Sequence, residues 1–273
     1  MKQEAKDLHG WVNFLSHAEI PILKQTFRDL ETLRNEGDNS SANAIAAIIA
    51  RDPLMTVLLL RYLQLHKRRS QTNEVFEIEQ ALLMLGVEPF FNKVVSKVTV
   101  EEMLGTQIPA LVATLRVVHR SHRASSYAVD WAVRLRDMHY EEVRIAGLLR
   151  DMSEILMWCF APAEMLEIKS LQDEDKALRS GTAQEQVLGF KLVALQKELV
   201  KEWKLPALLL SLMDAENGHQ VRVRNVVLAD RLARHSSHGW EDAALPDDYS
   251  DIGGLLGMKV DDVMAIVGTG TKT

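Results

Sequence analysis

Apolar residues recur at helical spacing through most of this chain. Between residues 18 and 267 they fall mainly three or four positions apart, so that each stretch would carry an apolar stripe on one helix face. Alternating β-branched segments, which are typical of strands, are almost absent. The pattern therefore predicts an all-α fold.

Capping signals divide the first part of the chain into short helices. Ser40 or Ser41 can cap a second helix, and Asp52 with Pro53 supplies a cap and a first-turn proline for a third. Gly86 ends a fourth. The predicted helices cover residues 21–35, 42–50, 53–66 and 78–85. Together they predict an N-terminal helical lobe.

Longer helices are predicted in the second half, at residues 110–137, 141–160, 183–203, 206–214 and 221–235, with a last short helix beginning near 261. Two segments interrupt them. Residues 169–181 are rich in charge and poor in periodic apolar positions, which predicts a mobile loop. Residues 236–250 are rich in turn formers and are predicted to be a linker.

Composition limits the classes of protein that remain. The chain has 273 residues, of which 47% are hydrophobic and 26% charged, which is typical of a folded globular protein. Its net charge of −6 gives no overall attraction to nucleic acid or to anionic membranes. Its single cysteine, Cys159, lies in an apolar run and is expected to be buried. No apolar run reaches the roughly 18 residues of a membrane span, so a cytoplasmic location is expected.

Several short phrases resemble, in order, those of a known bacterial family. They are IIARDPL at 48–54, EQALLMLG at 79–86, AGLLRD at 146–151, GF at 189–190, WKLP at 203–206 and VLAD at 227–230. In this order they are similar to the HD-related output domain (HDOD) family, a helical module that works with signal-transduction proteins. One phrase alone would be a weak signal, but six in a shared order are specific.

The resemblance implies a domain organisation. It places an HDOD-like domain at residues 18–235, with an N-terminal lobe at 18–108 and an HD-like lobe at 109–235. Residues 236–273 would then form a C-terminal helical extension. The protein would be a multi-helix bundle with two lobes.

Departures from the family pattern affect the expected ability to bind metal and to catalyse hydrolysis. In the catalytic HD phosphohydrolases to which this family is related, histidines and aspartates bind metal ions that activate water. The doublet here is Arg150-Asp151, and a guanidinium has no lone pair with which to ligate a metal. Leu192 stands where the family often has a further histidine. We therefore expect no catalytic residue, no metal and no cofactor.

A remnant of the HD cleft is the candidate binding site. His119 and His122 lie three apart and could form a metal pair on one helix face, but the flanking arginines favour an anion such as phosphate. If the helices pack as in the family, His122, Arg123, Arg150 and Asp151 would converge, and with His119 they form the candidate ligand-binding set. The alternative is that Arg150 and Asp151 belong to a purely structural salt-bridge network.

Three functions remain open at this stage. The first is a non-catalytic signalling module that binds a protein partner or a small anionic ligand. The second is a divergent metal phosphohydrolase that uses His119, His122 and Asp151. Nucleic-acid binding ranks last, because the basic run at 67–69 has no interleaved aromatic residues for base stacking.

Four residues carry specific structural expectations. Loss of the metal would leave carboxylates uncompensated in a partly desolvated pocket, so Arg150 is expected to pair with Asp151 or with another acidic residue. Trp203 is expected to be a packed structural residue, and Ser153 a structural rather than a nucleophilic one. Pro53 is expected to serve only the helix start.

Overall fold

The fold is described from a computed structural model that covers residues 7–36, 41–66, 78–214 and 217–268. Within these ranges the chain is built of helices, and the only β-type pairing is one isolated bridge between Ile22 and Thr99. The predicted all-α fold is therefore confirmed. The basic run at 67–69 lies outside the described residues.

The chain separates into two compact units, each assembled from two segments. The first unit contains Met1–Val118 and Asp151–Ala207. Its helices are α1 (Leu8–His17), α2 (Lys24–Asn35), α3 (Ala42–Ile49), α4 (Pro53–Leu65), α5 (Ile78–Leu85), α6 (Val87–Lys93), α7 (Val100–Met103), the first part of α8 (Ile108–Arg134), α10 (Met152–Phe160), α11 (Pro162–Glu174), α12 (Ser180–Leu188) and α13 (Leu192–Glu202).

The second unit contains His119–Arg150 and Leu208–Thr273. Its helices are the remainder of α8, α9 (Tyr140–Leu149), α14 (Ala207–Met213), α15 (Val221–His235), a short 3-10 helix (Ser236–His238), α16 (Leu245–Leu256) and α17 (Val260–Val267). The packing thus divides the chain after residues 118, 150 and 207, and all three points lie within the predicted HD-like lobe at 109–235. The domain bounds implied by the family phrases stay a prediction.

Local capping forms the start of α3 and α4 as predicted. The Ser41 hydroxyl accepts a hydrogen bond from the Ala44 N–H at 3.1 Å. The Asp52 carboxylate accepts from the N–H groups of Leu54 and Met55, at 2.9 and 3.1 Å, and Pro53 occupies the first turn. Ser40 lies outside the described residues.

The N-terminal helix α1 was not predicted. It begins at Leu8 because the Asp7 carboxylate accepts from the Gly10 N–H at 2.7 Å, which caps its first turn. It packs into the core through Trp11, Val12 and Leu15. The predicted helix at 21–35 then begins only at Lys24.

Two helices predicted as single elements are each broken in two. The 141–160 prediction is interrupted at Asp151, whose φ of −97° and ψ of 18° leave helical geometry. The 183–203 prediction is interrupted at Gly189, which adopts a left-handed φ of +79° as the C-cap of α12. The Leu192 N–H at the start of α13 is then satisfied by the Gln184 side-chain oxygen at 2.9 Å.

Two predicted irregular segments are partly helical. The charged stretch at 169–181 continues α11 as far as Glu174, because Lys169 pairs with Asp173 one turn later at 2.5 Å. Hydrogen bonds from Lys169 and Lys176 lower the pKa of Asp173 to about 2. The predicted linker at 236–250 contains the 3-10 helix and the first half of α16.

Candidate functional site

Arg150 is the last residue of its segment of the second unit and directly follows α9. Its Nε–H donates to the Asp230 carboxylate at 3.2 Å, and its Nη1–H donates to the Met213 carbonyl at 2.6 Å. The side chains of Arg150 and Asp230 are only 17% and 9% exposed. The prediction that Arg150 pairs with a carboxylate is therefore confirmed. The structure identifies Asp230 as a partner.

Asp230 lies on α15 and also faces a second guanidinium. The Arg234 Nη2 atom is 3.4 Å from the same carboxylate oxygen, but its side chain is 42% exposed. Arg150 is thus the more buried of two cations that neutralise one carboxylate. Sequence reasoning singled out Arg150 but not Asp230, although Asp230 closes the VLAD phrase that resembles the family.

Asp151, the second residue of the doublet, belongs to the first unit and is buried at the N-cap of α10. Near it, the Ser153 hydroxyl donates to the Leu192 carbonyl at 3.0 Å, and the Ser153 N–H donates to the Gln196 side-chain oxygen at 2.8 Å. These bonds hold the start of α10 against α13. They support the structural role expected for Ser153.

Arg123 is held by the turn that follows α15. Its guanidinium donates to the carbonyl and the hydroxyl of Ser236, at 3.2 and 2.9 Å, and to the Tyr127 hydroxyl at 2.8 Å. It also lies over the rings of Tyr127 and Trp240, at 5.7 and 5.6 Å from the ring centroids. Arg123 therefore has a structural role, as a link between α8 and the 3-10 helix.

His119 and His122 lie three residues apart on α8, and both are exposed. The backbone carbonyl of His122 accepts from the Ser126 hydroxyl at 3.0 Å. The structure thus places Arg123 against Ser236 and Arg150 against Asp230. Whether these residues bind an anion stays a prediction.

The second position of interest for metal binding is Arg150, whose guanidinium faces the Asp230 carboxylate and has no lone pair for a metal ion. Across residues 7–36, 41–66, 78–214 and 217–268, no three side chains of His, Cys, Asp or Glu come together as a metal site would need. The same ranges contain no helix that is both long and apolar enough to cross a bilayer.

The described residues define a class of protein, an all-α module built from two compact helical units. The chain belongs to the HDOD domain family, which matches it over residues 20–218. The resemblance inferred from the six sequence phrases is therefore confirmed. No curated protein matches the chain.

Solved structures confirm the fold. The MmoQ response regulator from Methylococcus capsulatus is 17% identical with a TM-score of 0.68, and the match covers 92% of this chain and 99% of that one. A virulence factor from Campylobacter jejuni is also 17% identical, with a TM-score of 0.71 and coverage of 96% and 94%. An HDOD domain protein from Geobacter sulfurreducens is 20% identical, with a TM-score of 0.52 and coverage of 94% and 92%. At these identities the likeness concerns the fold alone.

Proposed function

We propose that this protein is a non-catalytic regulatory module of bacterial signal transduction, which acts by binding a protein partner or a small anionic ligand. The observation that carries the proposal is the Arg150–Asp230 ion pair. A metal hydrolase needs lone pairs and negative charge at this position, and a guanidinium supplies neither. Arg150 is also turned inward and hydrogen-bonded, so it is not poised to contact a substrate.

Other features support binding rather than hydrolysis. The buried Leu192 side chain cannot ligate a metal, and its carbonyl is occupied by Ser153. Among the structural neighbours, MmoQ is named a response regulator. We carry that role over only in its general form, as regulation by binding.

The enzymatic alternative is tested with the purified chain after chelation and reloading with zinc, manganese, iron or magnesium. We expect substoichiometric metal by elemental analysis and no hydrolysis of p-nitrophenyl phosphate or bis-p-nitrophenyl phosphate above buffer. Arg150→His, which recreates the HD doublet, should also remain inactive because Leu192 is unchanged. A stoichiometric metal that is lost in Asp151→Ala, together with metal-dependent hydrolysis, would refute the proposal.

The anionic-ligand form of the proposal has its own test. Inorganic phosphate is titrated while the imidazole resonances of His119 and His122 are followed by NMR, with the exposed His219 as a control on α15's N-terminal side. Saturable shifts at His119 and His122 alone would support an anion site on α8. Equal, non-saturating shifts at all three histidines would leave a protein partner as the form of binding that the proposal retains.

A further inference from the structure

We infer that Arg150 is a built-in cation, which takes the place of a bound metal ion and makes the folded second unit independent of divalent metals. The inference rests on the proposed function and deepens it, because it states what Arg150 does at the position where a metal hydrolase would hold its metal ion. It begins with the misfit between the HD metal site and the residues present. The second unit contains a buried carboxylate, Asp230, which needs a compensating positive charge.

Burial makes compensation necessary. The Asp230 side chain is 9% exposed, and a carboxylate withdrawn from water is strongly disfavoured unless it is paired and hydrogen-bonded. Arg150 approaches it from α9, at 3.2 Å, and is itself largely buried. Arg234 approaches from α15 itself, is more exposed, and lies at 3.4 Å. Arg150 is therefore the cation whose removal should matter.

Arg150 also binds a backbone carbonyl, in addition to its ion pair with Asp230. Met213 is the last residue of α14, where the backbone carbonyls have no intrahelical partner and carry the negative end of the helix dipole. The Arg150 Nη1–H donates to that carbonyl at 2.6 Å. One guanidinium thus joins the ends of α9 and α14 to the middle of α15, as a metal ion with three protein ligands would.

A double-mutant cycle tests the charge compensation. Arg150→Met keeps the length of the side chain and removes its charge, and should lower the folding equilibrium constant by more than about 100-fold, as expected when one member of a buried pair is lost. In Arg150→Met with Asp230→Asn, the loss should be clearly smaller than the product of the two single losses, because no uncompensated carboxylate remains. Arg234→Met is the matched control and should change the constant less than about fivefold.

Chemical rescue and the response to metal ions distinguish charge compensation from a role of Arg150 in packing alone. Low guanidinium concentrations should raise the melting temperature of Arg150→Ala, whose shortened side chain leaves room for the ion, but not that of the wild type, with urea as the control. Chelator and added manganese or zinc should leave the wild type unchanged. If Arg150→Met does not fold, NMR of Asp230→Asn replaces it, and the Arg150 Nε–H should exchange faster with solvent than in the wild type.

Three results would overturn the inference. The first is that the losses of folding free energy in the two single mutants add up to the loss in the double mutant. The others are an unchanged exchange rate of the Arg150 Nε–H in Asp230→Asn, or a stabilisation of the wild type by metal ions that Asp230→Asn abolishes. If the two single losses of folding free energy are additive, this inference fails but the proposed function stands, since that function is tested by hydrolysis and ligand binding. If the cycle shows strong coupling but the protein hydrolyses phosphoesters in a metal-dependent way, the proposed function fails and the charge compensation by Arg150 stands.

Discussion

At the scale of single residues, Trp203 shows how one side chain ties distant segments of the first unit together. It is 2% exposed, its indole N–H donates to the Ser16 hydroxyl at 3.2 Å, and the Arg61 guanidinium lies 5.1 Å from its ring centroid. Trp203→Ala should lower the free energy of unfolding by about 3–5 kcal/mol, measured by urea denaturation. Trp240→Ala is the control: this ring is 37% exposed and should contribute about 1 kcal/mol or less. Equal losses would contradict the buried role of Trp203.

Cys159 is expected to be chemically inert. Burial raises the pKa of its thiol to about 12, and the negative charges of Asp52 and Glu101 act in the same direction. Because the thiolate is the reactive form, the native protein should not react with an aromatic disulfide reagent at neutral pH. The urea-unfolded protein should release one equivalent of the coloured product. Rapid labelling of the native protein would show that Cys159 is accessible.

Asp137 gives a defined pH dependence. Burial raises its pKa, but hydrogen bonds from Arg222 and from the His139 N–H, together with the positive charge of Arg222, lower it more, so its pKa lies below that of an ordinary aspartate. A carboxyl with a depressed pKa in the folded state stabilises the fold above its unfolded pKa, and this contribution is lost as pH falls below about 4. The stability difference between the wild type and Arg222→Met should therefore shrink on acidification through that range. A difference that is constant with pH would exclude this linkage.

At the scale of elements, the junction of α16 and α17 depends on a close backbone contact. A Cβ placed on Gly253 would lie 2.8 Å from the Met258 carbonyl oxygen, whereas one on Gly254 would meet only the end of the Arg224 side chain at 3.2 Å. Gly253→Ala should therefore destabilise by about 1–3 kcal/mol in urea denaturation. Gly254→Ala should be neutral or gain up to about 1 kcal/mol of helix propensity. The reverse order would be inconsistent with this packing.

Helix boundaries could be predicted wherever a local side chain determines them. The start of α4 is one example, since Asp52 and Pro53 act within one turn. The start of α10 could not be predicted, because the Ser153 N–H bonds to Gln196, 43 residues away. The helical end of α11 was missed because its charged residues pair along the helix instead of remaining in a solvated loop.

At the scale of the whole molecule, the candidate site also contains a contact between residues far apart in sequence, which the sequence alone could not predict. The identity of Arg150 and its chemical consequence could be read from six consecutive residues that resemble a family phrase. Its partner Asp230 lies 80 residues away, and nothing local links the two. The convergence of His122 with Arg123, Arg150 and Asp151 was inferred from family packing and stays a prediction. The structure shows hydrogen bonds from Arg123 to Ser236 and from Arg150 to Asp230.

The composition of the two units leads to a prediction about fragments. A chain that ends at residue 150 contains only the first segment of each unit and lacks α10 to α13, which supply much of the buried apolar surface of the first. We expect this fragment to show helical circular dichroism without a cooperative urea transition. A sharp transition would mean that residues 1–150 form a core of their own.

The interleaving of the two units also bears on how such a protein can be inherited or rearranged. The backbone passes between the units at residues 118, 150 and 207, so neither unit corresponds to one uninterrupted stretch of coding sequence. Recombination anywhere within residues 119–207 would separate parts of each unit from one another. Fusions to other domains can therefore be accommodated before or after the interleaved region, and the two units must be transferred between genes together or not at all.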